Sequence, residues 1–249
     1  MEDYVKKNQT TIGKWIDEGW QWGQALSHED YQKALAGQFE LFLTPTVAVP
    51  KEWLANLKNK KVLGLASGGG QQGPILTALG AEVTIIDFSP QQIASEKAVA
   101  QREGYSIHAI QGDISQPLPF ADHCFDLVVH PVANVYLKEI QPIWNEVARI
   151  LKTGGELLAG LDNGINYIVD EKEERVVNHL PFNPLENVEQ MKQLEKGNDG
   201  VQFSHSIEEQ IGGQLKAGLS LIDVYSDTNG IGRLDELNIP TFWATRSRK

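Results

Sequence analysis

Val62-Leu-Gly-Leu-Ala-Ser-Gly-Gly-Gly-Gln-Gln-Gly73 joins a short β-type run to a helix-compatible stretch through a cluster of glycines. The run, Lys61 to Ala66, is aliphatic, and Gln71 to Leu79 beyond the glycines suits a helix. A glycine-rich turn between strand and helix lets a ligand touch bare backbone, and the helix start offers unpaired N–H groups to an anion. Gly68, Gly70 and Gly73 satisfy G-x-G-x-x-G, a spacing that steric needs alone also produce.

The same alternation continues outward. Ala81 to Ile86 is rich in β-branched residues and predicts a second strand. Ser89-Pro90 places a capping hydroxyl and an N1 proline at the start of a helix reaching about Arg102. Ile107 to Ile110 predicts a third strand, and the apolar run Phe125 to Val129 a fourth, suited to a sheet covered on both faces. Ile140, Ile143, Trp144, Val147 and Leu151 recur at helical spacing, with Thr153-Gly154-Gly155 ending that helix and Glu156 to Gly160 forming another strand. Strand, glycine turn and helix in repetition predict right-handed βαβ units and an open, doubly wound parallel sheet with helices on both faces. The alternation lapses over about 163–204, read as an insertion whose charged run Asp170 to Arg175 is solvated. Ser206 caps a last helix, Ile207 to Lys216. Leu219 to Tyr225 and Pro240 to Arg246 follow, joined by a long turn without a helix, so they should pair antiparallel.

Residues 1–60 read as an N-terminal helical extension, a lid on a main domain spanning 61–249. Four of the six tryptophans lie in it. Ser27-His28-Glu29-Asp30 resembles a helix start, Gly37 a stop, and Pro50 the opening of a short helix. Trp15, Trp20, Trp22 or Tyr31 would enclose an apolar or cationic ligand, or serve only as packing.

Composition narrows the function. With 22 Lys+Arg against 33 Asp+Glu, the net charge of −11 disfavours nucleic acid as a partner. No apolar run approaches the roughly 18 residues of a membrane span, and the polar Met1 to Thr10 lacks a secretory h-region. Cys124 stands alone, excluding an intrachain disulfide or a cysteine zinc site and pointing to a reducing, cytoplasmic location. His28, His108, His123, His179 and His205 show no metal-ligand spacing, so no metal is expected. Oligomeric state is not legible.

Asp87 ends the second strand, 19 positions after Gly68, where an acidic residue reaches both ribose hydroxyls of a bound nucleoside. That ligand is either a nicotinamide dinucleotide or S-adenosylmethionine. Three features separate them. Gly112-Asp113-Ile114 after the third strand suits an adenine edge. Leu118 to Val129 leads into a fourth strand ending at His130-Pro131. A terminal hairpin replaces continued parallel pairing.

In these motifs, and in Arg149-Ile-Leu-Lys-Thr-Gly-Gly155, the chain from Lys61 to Gly160 resembles the class I S-adenosylmethionine-dependent methyltransferases. Phe242-Trp-Ala-Thr-Arg246 is similar to their last strand. The resemblance implies a Rossmann-like, seven-stranded, mostly parallel sheet with an antiparallel last strand, and S-adenosyl-L-methionine as cofactor. It implies that Ala66, Ser67, Gly68, Gly69 and Gly70 face the methionine part and Asp87 the ribose. Phe88 would flank the adenine, Asp113 and Ile114 bind its edge, and the His130 backbone lie near the sulfonium. The chain departs from the family where Gly64 replaces an acidic residue and where Ala66 replaces a glycine; Ala66 should be tolerated if its φ is negative. Methyl transfer needs alignment more than acid–base chemistry. If a base is required, His130 is the candidate, with Asn134 and Tyr136 orienting the acceptor. The acceptor expected is a small molecule. The alternatives are an NAD(P)-dependent oxidoreductase and a non-catalytic S-adenosylmethionine-binding protein.

Overall fold

The computed structural model of the chain describes residues 3–249. Seven strands form one sheet: β1 (Lys61–Leu65), β2 (Glu82–Asp87), β3 (His108–Gln111), β4 (Phe125–His130), β5 (Leu151–Asp162), β6 (Ser220–Asp227) and β7 (Phe242–Arg248). Their spatial order is β3-β2-β1-β4-β5-β7-β6, with β1 to β5 parallel and β7 antiparallel to both its neighbours. This is the expected architecture.

Alternation along the strands divides the interior into two cores. Leu63 and Leu65 of β1, Val128 of β4, and Leu157, Ala159 and Leu161 of β5 point to one face. There they meet α5 (Gln141–Ile150) through Ile143, Trp144 and Val147, beside α8 (Ile207–Lys216). Val62, Leu127, Val129 and Leu158 point to the other face, against α3 (Gln72–Ala78) and α4 (Pro90–Glu103) through Ile75, Leu76 and Ile93. Each helix start that the sequence marks is capped as the residue types dictate. The Ser89 hydroxyl accepts from Gln92 N, and Ser206 forms a reciprocal capping box with Glu209.

The N-terminal segment holds α1 (Asp3–Asp17) and α2 (His28–Leu35), the latter capped by Ser27 accepting from Asp30 N. Leu41, Leu43, Val49, Trp53, Leu54 and Leu57 pack into the second core beside the strands. The extension therefore shares the main core from about residue 41 onward and also crosses the carboxyl edge of the sheet there. Where Leu43 crosses that edge its carbonyl accepts from Val132 N, and a Cβ on Gly160 would stand 2.1 Å from the same oxygen. Glycine at position 160 is what permits the crossing.

Three local expectations need correction. Thr153-Gly154-Gly155 does not end α5, which stops at Ile150; it lies inside β5. The register jumps from Phe125↔Leu151 to Leu127↔Glu156, so Lys152 to Gly155 form a bulge with Gly154 at φ +77. The long turn before β7 carries a short helix, α9 (Gly232–Glu236). The insertion is also not featureless, containing α6 (Ile165–Ile168) and α7 (Val188–Gly197), the latter capped by Asn187. Among the described residues no helix is long and apolar enough to cross a membrane.

Candidate active site

The loop after β1 spends its amides internally. Ala66 N donates to Ile86 O at 2.8 Å, Gly68 N to Asp87 Oδ2 at 3.0 Å, Gly69 N to Gln92 O at 3.1 Å, and Gly70 N to Glu96 Oε1 at 2.7 Å. The sequence pattern implied free N–H groups awaiting an anion. Here the carboxyl groups of Asp87 and Glu96 take two of them and the carbonyls of Ile86 and Gln92 the other two, so none of the four is left for a phosphate. Ala66 lies at φ +49, so the condition for an unstrained alanine, a negative φ, is not met where the chain turns sharply on leaving β1. A left-handed alanine costs about 1 kcal/mol. Ala66→Gly should therefore match or exceed wild-type stability, and Ala66→Val should lose about 2 kcal/mol, in urea unfolding. At Gly64 a Cβ would stand 2.4 Å from Ile85 Cδ1 and 2.8 Å from Ser67 Oγ, so those two groups fill the place of the family's acidic side chain.

Above the carboxyl ends of the parallel strands lies a cavity of about 720 Å³, within the usual range for small-molecule sites. Of the expected residues, Ala66, Ser67, Gly68, Asp87, Phe88, Asp113 and Ile114 line it. Gly69 and Gly70 do not; they turn toward α4, where added Cβ atoms would meet Gln92 and Val99.

Asp87 is 5% exposed, and its oxygens accept from Gly68 N and Ser89 N. Burial pushes its carboxyl up to about 6 against the pull of those two donors. Glu96 is fully buried; burial pushes it up to about 8, opposed by Gly70 N and reinforced by nearby Asp87. Its Oε2 has no hydrogen-bond partner. In the same wall Gln92 is buried, with Nε2 donating to Trp22 O and Oε1 unpartnered. A group bringing hydroxyl and ammonium donors and no phosphate fits this end of the cavity, and adenosine joined to an amino acid is such a group. Asp87 and Gln92 would hold its sugar, Asp113 and Ile114 its base, and Ala66 to Gly68 its amino-acid part.

The N-terminal segment roofs this end. Gln71 Nε2 donates to Gln21 O and Gln24 O, both at 2.8 Å, and Leu26 N donates to Gly70 O at 2.8 Å. Gln9 Nε2 reaches Phe88 O at 2.7 Å, while Asn8 pairs with both backbone groups of Val201 in the insertion. Trp15, Trp20 and Trp22 line the cavity; Tyr31 does not, being buried and stacked on Tyr105 with ring centroids 5.4 Å apart.

The His130 side chain is fully buried behind the wall and does not line the cavity. Its Nδ1 lies 2.8 Å from Leu65 O and its Nε2 2.9 Å from Asn134 Oδ1. Asn134 Nδ2 continues to Gln210 Oε1, and Gln210 Nε2 to Asp162 O. Burial holds the imidazole below its ordinary range, although both hydrogen bonds favour its charged form. Fully buried and without access to the cavity, the His130 side chain is not placed to take a proton from a ligand there.

Sequence reasoning missed the opposite end, built by the insertion, α1 and the end of β5. Asp162, Asn166, Tyr167, Asp199, Gln202, Phe242 and Tyr136 line it. Of these only Tyr136 is marked by the sequence as a ligand-facing residue, and Phe242 as part of the last strand; Asn166, Tyr167, Asp199 and Gln202 stand in a stretch without periodicity. Tyr167 stacks on Phe182 and donates to Gln202 Oε1 at 2.8 Å. Burial raises the phenols of Tyr136 and Tyr167, with the carboxylates of Asp199 and Asp162 adding to the rise, so both stay protonated. Among the described residues no cluster of His, Cys, Asp or Glu is arranged to hold a metal ion.

Residues 63–159 match the family described as a methyltransferase domain. An uncharacterized methyltransferase of Bacillus subtilis (strain 168), YbaJ, is 37% identical to this chain over 256 aligned positions covering 100% of both proteins. A sterol 24-C-methyltransferase of Gibberella zeae is 34% identical over 98 residues, which cover 38% of this chain and 26% of that enzyme. The crystal structure of an S-adenosylmethionine-dependent methyltransferase from Mesorhizobium loti superposes with a TM-score of 0.64 at 19% identity, covering 80% of this chain and 95% of its own.

Proposed function

Because the chain belongs to the class I S-adenosylmethionine-dependent methyltransferases, we propose that its cofactor lies with the ribose on Asp87, the adenine between Phe88 and Asp113-Ile114, and the amino-acid part along Ala66 to Gly68, and that its acceptor is a small molecule. When bound, S-adenosylmethionine supplies an already activated methyl group. The protein's task is then to orient an acceptor and exclude water. The observation that carries this reading is the cavity itself, which begins at Asp87 and continues past β4 to Asp162, with room for a second molecule beneath the roof. The loop argues against a dinucleotide. Its amides are taken by Asp87, Gln92 and Glu96, and no Lys, Arg or His among the described residues lines the cavity to balance a pyrophosphate. His130 acts as a positioning residue for β4.

S-adenosylhomocysteine at about a hundred times its Kd should add about 2.7 kcal/mol of stability, read as a rise in Tm, while NADH adds none. A shift with NADH and none with S-adenosylhomocysteine would overturn the assignment.

A further inference from the structure

We propose that the end of the cavity farthest from Asp87 is an amine-binding chamber, in which the acceptor presents a cationic or protonatable nitrogen to the Asp162 carboxylate beside the rings of Tyr136, Tyr167 and Phe242. This deepens the methyltransferase reading and rests on it. Asp162 is 4% exposed. It accepts from Gly164 N at 2.6 Å and from Asn166 Nδ2 at 3.3 Å, and no cation among the described residues pairs with it. A buried carboxylate is ordinarily neutralised by a partner charge, and here the open side faces the cavity. The missing charge is supplied by what binds there.

Topology separates this carboxylate from those that serve the nucleoside. Asp87 ends β2 and Asp162 ends β5, with β1 and β4 between them. Three strand spacings of about 4.8 Å place the two roughly 14 Å apart. The chamber's other charge, Asp199 from the insertion, is also acidic. An anionic acceptor would meet only repulsion here, whereas a cation gains both Coulombic attraction and the faces of the aromatic rings.

The test uses three probes of one shape and different charge: choline, 3,3-dimethylbutan-1-ol and 3,3-dimethylbutanoate. Binding to the full chain is measured by calorimetry, with and without saturating S-adenosylhomocysteine. Choline is expected to bind about tenfold more tightly than the neutral alcohol, and the carboxylate not at all. Asp162→Asn should abolish that preference while leaving S-adenosylhomocysteine affinity within about threefold of wild type. Asp199→Asn, at the exposed rim, should weaken choline about threefold and covers the case in which the Asp162 variant fails to fold. Equal binding of choline and alcohol, or tighter binding of the carboxylate, overturns the proposal. So does an Asp162→Asn variant that loses S-adenosylhomocysteine as much as choline, since Asp162 would then serve the cofactor. Should S-adenosylhomocysteine itself not bind, the methyltransferase reading fails separately, and the probe order without it still decides the charge preference.

Discussion

Asp87→Ala is expected to weaken S-adenosylhomocysteine binding about a hundredfold in calorimetry at neutral pH, while the protein remains folded. Hydrogen bonds to an ionised group contribute roughly 1.5–3 kcal/mol each, and two ribose hydroxyls on one carboxylate give about 3 kcal/mol, slightly over a hundredfold. The alanine also releases Gly68 N and Ser89 N, so the loop that frames the site loses its tie to β2. The fold should survive, because the carboxylate is buried against its own solvation and its removal offsets part of what the two freed amides cost. Asp87→Asn retains an acceptor for one amide and should fall between wild type and alanine. Affinity within threefold of wild type in the alanine variant would remove the ribose from Asp87.

Glu96→Gln is expected to flatten the pH dependence of stability. In the folded protein burial pushes Glu96 up to about 8 from an ordinary 4.5, so the native state keeps a proton that the unfolded chain releases. That contribution is fully present below about pH 4.5 and is lost as pH rises through about 8. At 1.36 kcal/mol per pH unit the loss by pH 9 is roughly 3–5 kcal/mol. Glutamine keeps an oxygen for Gly70 N and never ionises, so it escapes the loss. Asp87 and Asp162, each pushed up to about 6 by burial, act with the same sign and are present in both proteins, so the difference between the two reports Glu96 together with its coupling to Asp87. Urea unfolding at pH 5, 7 and 9 measures it, and parallel curves would refute a protonated Glu96.

Much of the fold was legible because its signals are local. Serines 27, 89 and 206 cap helices where a short hydroxyl before a helical run must, and the alternating apolar strands set both cores. Asp87 and the stretch Ala66 to Gly68 were legible as one end of the cavity for the same reason. What the sequence hid depends on distant partners. Glu96 sits 26 positions from the amide it holds, and nothing in an α-helical run marks one glutamate as buried. Ala66 looked tolerable at negative φ because its turn is imposed by the crossing from β1 to α3, not by its own preference. The Thr153-Gly154-Gly155 signal read as a stop, whereas pairing with β4 absorbed it as a bulge. The far end of the cavity eluded prediction because Tyr167 and Asp199 reach Asp162 only through an irregular insertion.

The roof has a kinetic consequence. Residues 21 to 26 are stitched to Gly70, Gln71 and Gln92, the same short stretch that frames the proposed nucleoside site, so a cofactor leaving past the roof would break those contacts. Release by that route would need the N-terminal segment to peel and reseal, a motion on the microsecond-to-millisecond scale of lids, and the tryptophans that ride on the segment are its natural optical reporters.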